Sequence, residues 1–347
     1  MATRILHALV CLALGASFSA QAIDVKQPEV KEFVSHMASA YGYPKRPLRK
    51  LLASAQVQPA ILEAMERPAE KAKQWFEYRP IFLTDKRIGE GIAFWLSHRA
   101  ALERASARSG VPPEYLAAIV GVETFYGKRT GNYRVLDALS TLAFDYPPRS
   151  KFFRSELEQY LLLTREAHLD PRMPKGSYAG AMGAPQFMPS NYRKYAVDAD
   201  ANGRVDLWND WPDVLSSVGN YLKEFGWITG EPVLSEASAT ADRPEELDGR
   251  KLALDDTVGS LRGKGIQFDG AQADAAPAML IAADEADGTH WRVGYNNFFV
   301  ITRYNHSALY AMAVYELASA LKMGVQTQAA PDPALAPAPG DAGSPSP

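Results

Sequence analysis

YLAAIVGVETFYG, residues 115–127, reads as a helix with an acid on its apolar face. Leu116, Ile119, Val120 and Glu123 fall at i, i+3, i+4 and i+7, one stripe of a 3.6-residue repeat. Pro112 and Pro113 suit the first turn, where a missing N–H costs nothing, and Gly127 suits a C-terminal cap. A carboxylate on such a stripe is unfavourable unless it is paired or protonated. Near the helix C-terminus the macrodipole also opposes its charge. Both effects favour the protonated acid, which is what a glycosidic oxygen needs from a general acid. A buried glutamate bonded to a neighbouring loop fits the same pattern, and this helix alone does not separate the two readings.

Outward from this helix, residues 24 to about 110 read as further helices, with Lys45–Leu52 as a basic connector and Gly89–Ala107 carrying Ile92, Trp95, Leu96 and Leu102 at near-helical spacing. Asp213–Gly226 is the clearest helix, with Val214, Leu215, Val218, Tyr221, Leu222 and Phe225 on one face, an acid at its start and glycine at its end. Ala278–Ala282 and Trp291–Thr302 read as strands, with Asp287-Gly288 as a turn between them. His306–Leu321 returns to helix, with Tyr310, Ala313, Val314, Leu317 and Leu321 on one face. The expected fold is therefore α+β, mainly α: a helical core over 23–230, a β-rich insert over 231–303 that closes a cleft, and a terminal helix over 304–322. From 323 to 347 the chain is dominated by Ala, Pro, Gly and Ser and reads as a disordered tail.

The chain has 347 residues, 47% hydrophobic and 22% charged, with net charge -3. A folded domain fits this composition, and a nucleic-acid partner does not. At the N-terminus Arg4 precedes an apolar run from Ile5 to Phe18, followed by Ala20-Gln21-Ala22. A basic start, an apolar stretch shorter than the roughly 20 residues of a spanning helix and an A-x-A site predict a signal peptide over 1–22, cleaved on export to the periplasm. Cys11 is the one cysteine and lies inside the apolar run after Val10, not at its end, which argues against lipoprotein anchoring. The mature chain then has neither disulfide nor thiol chemistry.

Two further segments carry chemistry. Gly176–Ser190, GSYAGAMGAPQFMPS, combines glycines and small residues that permit close backbone approach to a ligand with the Ser177 hydroxyl and the Gln186 carboxamide. That set suits an N-acetylated sugar, though a tight structural turn is equally compatible. Asp198-Ala-Asp200-Ala-Asn202-Gly203-Arg204-Val-Asp206 matches the start of an EF-hand calcium loop, with glycine at the sixth position and Arg204 offering its backbone carbonyl. Position 12, normally glutamate, is Asn209. His168, His290 and His306 show no metal spacing, and Trp208 and Trp211 fit a core as well as a sugar face.

GVETFYG, LSTLAFDYP, GSYAGAMGAPQFMPSNY and ITRYNHSALYAMAV, in that order, resemble the lytic murein transglycosylase B family over about residues 30–322. The resemblance implies a lysozyme-like helical fold with a small β-rich subdomain. It also implies cleavage of the MurNAc–GlcNAc β-1,4 bond with a 1,6-anhydroMurNAc end. By the resemblance Glu123 is the single catalytic acid/base, Ser177, Gln186, Tyr304 and Asn305 contact or orient the reacting sugar, and Tyr78, Arg149 and Tyr221 line the cleft. Where the family pattern has FNYPRR and then tyrosine, this chain has Phe144-Asp145-Tyr146-Pro147-Pro148-Arg149 and then Phe152, so an arginine and a tyrosine hydroxyl that the resemblance would give to contacts with the peptide stem or outer sugars are replaced. The family's calcium loop closes with a later acid that aligns with Asp213, Asp210 being the alternative. The implied ion site over 198–213 is thus Asp198, Asp200, Asn202, Arg204 and Asp213, with Ca2+ structural and no cofactor in the chemistry.

A hydrolase needs a second carboxylate, and the resemblance offers one. Attack by the sugar's own C6 hydroxyl replaces the water, and its effective molarity makes a second carboxylate unnecessary. A hydrolytic muramidase and a non-catalytic murein-binding module are the rival readings. The expected partner is the peptidoglycan strand, met by a monomer, with cell-wall synthesis enzymes as further candidate partners.

Overall fold

The computed structural model describes residues 21–66, 73–240, 245 and 252–329. Nearly all of the expected signal peptide, and the tail beyond 329, lie outside the described residues. The first helices are α1 (Pro28–Tyr41), α2 (Lys45–Leu52), α3 (Pro59–Glu66), α4 (Trp75–Phe82), α5 (Asp85–Ser97) and α6 (Arg99–Ser109). The stretch read as a basic connector is thus helix α2. Leu48 and Leu52, at i and i+4, are buried, and each such burial contributes about 1.5–3 kcal/mol, enough to hold a short charged segment in helix. The single helix expected over 89–107 is two, broken at His98, whose φ of -114° serves as the end of one and the start of the next.

Helix α7 (Pro113–Thr124) is apolar nearly all round because it is central: α5, α6, α11 (Trp211–Glu224) and α14 (Ala308–Ala329) pack on it. Helix α8 (Val135–Asp145) packs on α9 (Ser150–Glu166), which also carries α10 (Pro189–Tyr195). Between them a short antiparallel pair, β1 (Tyr133–Arg134) with β2 (Lys175–Gly176), leads into the segment read as substrate-binding.

The remaining strands are β3 (Leu234–Ala239), β4 (Asp256–Thr257), β5 (Ile266–Phe268), β6 (Pro277–Glu285) and β7 (Gly288–Tyr295), in an antiparallel sheet of order β4-β6-β7-β3-β5. Both faces of β6 are covered, as the period of two requires. Ala278 and Leu280 face α12 (Val258–Gly263) and its cluster, whereas Met279, Ile281 and Ala283 join the main core. The strand expected over 291–302 stops at Tyr295, and Asn296–Thr302 is helix α13. The apolar, β-branched run there mimics a strand. Its backbone leaves the ladder because the buried Asn297 carboxamide bonds Ile228 and Glu231 of another segment. Helix α14 also runs past the expected tail boundary at 323, to Ala329. Within it Gly324 is a close approach: a Cβ there would lie 2.2 Å from Ile92 of α5. The architecture is mainly helical with a small five-stranded antiparallel sheet beside the β1–β2 pair, the expected class.

Candidate active site

Glu123 is half-buried in the last turn of α7. Its Oε1 accepts a hydrogen bond of 2.7 Å from the phenol of Tyr310 on α14, a residue the sequence reading passed over as one of a helical stripe. Burial pushes the Tyr310 phenol well up, and the Glu123 charge pushes it further, so the proton stays on Tyr310 and is donated. Tyr304 stacks on Tyr310 at 6.4 Å and 11° and is raised for the same two reasons. Tyr221 meets Tyr304 edge-on at 4.9 Å, and Phe187 lies 5.5 Å from Tyr221 and 5.9 Å from Tyr304. For each of the three phenols the carboxylate that acts is Glu123.

The chain after Glu123 is bent by Phe125 (φ 52°), Tyr126 (φ 59°) and Gly127 (φ 80°), three successive left-handed residues. Two of these carry side chains that disfavour that region, so tertiary contacts must hold them. Tyr126 stacks on Phe94 at 5.3 Å and lies over Gly91 and Gly121, where an added Cβ would come within 2.1 and 2.7 Å of its ring or hydroxyl. Thr124 donates to the Ala184 carbonyl at 2.8 Å and accepts from the Gly127 amide at 3.0 Å. The first of these bonds ties the end of α7 to the Gly176–Ser190 segment, and the second holds the bend after it.

In that segment the Ser177 Oγ accepts the amides of Ala179 (3.2 Å) and Ala181 (3.0 Å), leaving its O–H proton to offer a ligand. The Gln186 amide group donates to the carbonyls of Thr130 (3.1 Å) and Gly183 (2.9 Å), so Oε1 is the group it has to offer, not the donor–acceptor pair expected. The glycines serve the protein's own packing rather than a ligand's approach. An added Cβ would sit 2.2 Å from the Ala181 carbonyl at Gly176, 2.4 Å from Leu139 at Gly180 and 2.3 Å from the Leu207 carbonyl at Gly183.

The other expected cleft residues divide. Tyr304 donates to the Pro185 carbonyl at 2.7 Å and Tyr221 to the Arg303 carbonyl at 2.6 Å, so both phenol protons are used internally. Tyr78 is buried and raises the Tyr310 phenol. Asn305 is half-buried next to Tyr304, its carbonyl accepting from Ser307. Arg149 is exposed and lies over Phe152 (4.5 Å) and Phe153 (5.3 Å), with no hydrogen bond, ion pair or ring contact to the residues around Glu123. Next to Tyr78, Arg79 of α4 bonds Glu316 of α14, whose other oxygen takes Arg292 of β7 at 3.0 Å. This links helix α4 and the sheet to the helix that carries Tyr310.

Carboxylate oxygens of Asp198, Asp200 and Asp213 come within 4.8 Å of one another. Asp213 is fully buried, and burial pushes its carboxyl up, partly offset by the amides of Ala199 (2.7 Å) and Asp206 (2.9 Å). Converging carboxylates with a buried member suit a hard divalent cation. Asp210 instead caps α11, accepting from the Asp213 amide. Asn202 donates Nδ2 to Asp200 and accepts the Arg204 amide on Oδ1, so its oxygen is engaged locally.

Residues 25–319 match the family described as the transglycosylase SLT domain. The chain is 37% identical over 305 residues to membrane-bound lytic murein transglycosylase B of Escherichia coli, covering 85% of this chain and 83% of that one. Among solved structures it is similar to the soluble lytic transglycosylase SltB1 of Pseudomonas aeruginosa, with TM-score 0.82, 48% identity and coverage of 86% and 99%. It is also similar to the Escherichia coli lytic transglycosylase Slt35 in complex with calcium, with TM-score 0.80, 36% identity and coverage of 88% and 97%. The match over most of the chain agrees with the helical core that carries Glu123 and Tyr310, and the chain belongs to the transglycosylase SLT family, in the group that includes lytic murein transglycosylase B.

Proposed function

We propose that this protein is a peptidoglycan lytic transglycosylase that cleaves the MurNAc–GlcNAc β-1,4 bond with Glu123 as its one acid/base. The observation that supports it most is the Glu123 carboxylate bonded to the buried Tyr310 phenol inside a tyrosine cage where no other carboxylate acts on the phenols. Glu123 gives its proton to the leaving oxygen as the bond to C1 breaks. The ionised carboxylate, held by the Tyr310 O–H, then takes the proton of the sugar's C6 hydroxyl as that oxygen bonds to C1. The proton returns to Glu123, and no water is consumed. Hydrogen bonding to the charged form is what keeps a partly buried carboxylate competent as the base.

On this reading the Ser177 hydroxyl and Gln186 Oε1 hold the acetamido group, while Tyr304, Asn305, Tyr78 and Tyr221 shape the sugar's seat and Arg149 meets outer parts of the strand. The sheet of the 231–303 insert closes the cleft. Asp198, Asp200 and Asp213, with Asn202 and the Arg204 carbonyl, hold a structural calcium ion that takes no part in the chemistry. The protein acts in the periplasm after loss of residues 1–22. Among the described residues no helix is long and apolar enough to cross a membrane. Mass spectrometry of digested peptidoglycan tests the reaction: muropeptides ending in 1,6-anhydroMurNAc are expected, and reducing ends alone overturn it in favour of a muramidase.

A further inference from the structure

Strand β2 runs directly into Ser177, and on its other side it borders a cavity of about 500 Å³ that plays no part in the chemistry above. Leu169, Met173 and Val205 supply an aliphatic lining, with Met173 71% exposed and Leu169 39%. Trp208 forms an aromatic wall, braced by its Nε1–H bond of 3.0 Å to the Lys175 carbonyl. Two cations line the cavity as well, Lys175 and Arg204, and neither side chain forms a hydrogen bond or ion pair with another described residue.

The acids of the lining, Asp170 and Asp206, form no ion pair with either. Asp170 is bound by Arg172 at 2.7 Å, which holds its carboxyl down to about 2, and the Asp206 carboxylate accepts the amides of Trp208 and Asn209. His168 completes the lining, exposed and in the left-handed region at φ 53°. The cavity therefore offers small apolar contacts beside two cations that no described acid pairs. That favours a ligand with methyl groups and free carboxylates over a neutral sugar ring.

We propose that this cavity receives the carboxylate-bearing, alanine-containing peptide stem that branches from the murein strand. The assignment rests on the reading of Ser177 as a sugar contact. Lys175 is two residues from Ser177, on the order of 7 Å along a strand, and a stem of four or five residues reaches on the order of 15 Å. A stem leaving a sugar held at Ser177 can thus reach the cavity without displacing the strand. The Lys175 ammonium and the Arg204 guanidinium take stem carboxylates, and Leu169 and Met173 take the alanine methyls.

The test titrates the full-length mature protein, labelled with 13C at its methionine methyls, with a free stem tetrapeptide of alanine, glutamate and diaminopimelate. A second arm uses glycan strands stripped of their stems by an amidase. The Met173 methyl, assigned through Met173→Leu, is expected to shift and saturate with the tetrapeptide and not with stripped strands. Lys175→Glu and Arg204→Glu each weaken that binding about tenfold or more, the scale of a lost charge-assisted hydrogen bond, while melting temperature shows the fold intact. A silent Met173 up to millimolar peptide, or an equal response to stripped strands, overturns the proposal. Product analysis on the same preparation separates the two readings. Anhydro ends with a silent Met173 keep the cleavage chemistry and sink the stem pocket. A saturable Met173 response without anhydro ends supports the pocket and sinks the cleavage chemistry.

Discussion

Tyr310 and Glu123 are 187 residues apart in the chain, and the hydroxyl of the first lies 2.7 Å from Oε1 of the second. The phenol keeps its proton because it is fully buried, so the bond is a neutral donor on a carboxylate, the polarity that steadies the base in the second half of the proposed reaction. Tyr310→Phe removes this bond and leaves the ring. The expected result is a fall in kcat of about 10- to 100-fold, the worth of a hydrogen bond to a charged group, with KM and melting temperature little changed. An unchanged kcat would show that the phenol is only packing.

Glu123→Gln keeps the shape of the acid and can neither give nor take the proton. Release of anhydro products should drop by about 10²-fold or more, the scale of general acid–base catalysis. Binding of glycan fragments, followed by calorimetry, should persist. Near-normal turnover would remove Glu123 from the mechanism.

Calcium should stabilise the protein by mass action, because an ion gripped by Asp198, Asp200 and Asp213 has no such site in the unfolded chain. Melting temperature is expected to rise with added calcium and fall with chelator, and Asp198→Ala to abolish the response. Without glutamate at the twelfth position the affinity should be weak, with a dissociation constant near the roughly 10⁻⁴ M of extracellular modules. Metal-stripped protein that shows neither heat of binding nor a melting shift at millimolar calcium would reduce the loop to a turn.

His98 sits at the break between α5 and α6, 4.6 Å from the Phe94 ring and 5.2 Å from that of Trp211. Burial holds its imidazole below the usual value. Unfolding therefore takes up a proton in the window between the folded and the ordinary value. Stability should be complete above the ordinary histidine value and decline as pH falls through that window. Melting curves across pH 5 to 7.5 for the parent and His98→Gln check this: the parent loses stability on acidification, and the variant's curve is flatter by that one group's contribution.

Gly91 has no room for a methyl, since its Cβ would lie 2.1 Å from the Tyr126 hydroxyl and 2.5 Å from Leu321. Gly91→Ala must displace Tyr126, one of the two non-glycine left-handed residues that follow Glu123. A loss of about 1–3 kcal/mol, the usual cost of overpacking a core, is expected in denaturant titration, together with reduced activity. A variant as stable and active as the parent would mean that the bend after Glu123 does not depend on this packing.

The helix of residues 113–124, the acid on it and the aspartate loop were legible in the chain because each is a local pattern: a repeat of 3.6, a glycine at a fixed offset, acids at alternating positions. The helical class followed from the same periodicities, and the four matching segments pointed to the family. What depended on distant partners was not legible. Asn297 bonds Ile228 and Glu231 where an apparent strand becomes helix, Ile92 packs on Gly324 inside α14, and Leu139 and Leu207 pack on glycines that looked reserved for a ligand. Tyr310 was one aromatic on an apolar stripe until folding set it on Glu123. Periodicity reports which face of an element is buried and says nothing of what lies opposite, so the sequence by itself marked the central helix and the acid on it, and only the tertiary structure decided where neighbouring elements break and what that acid meets.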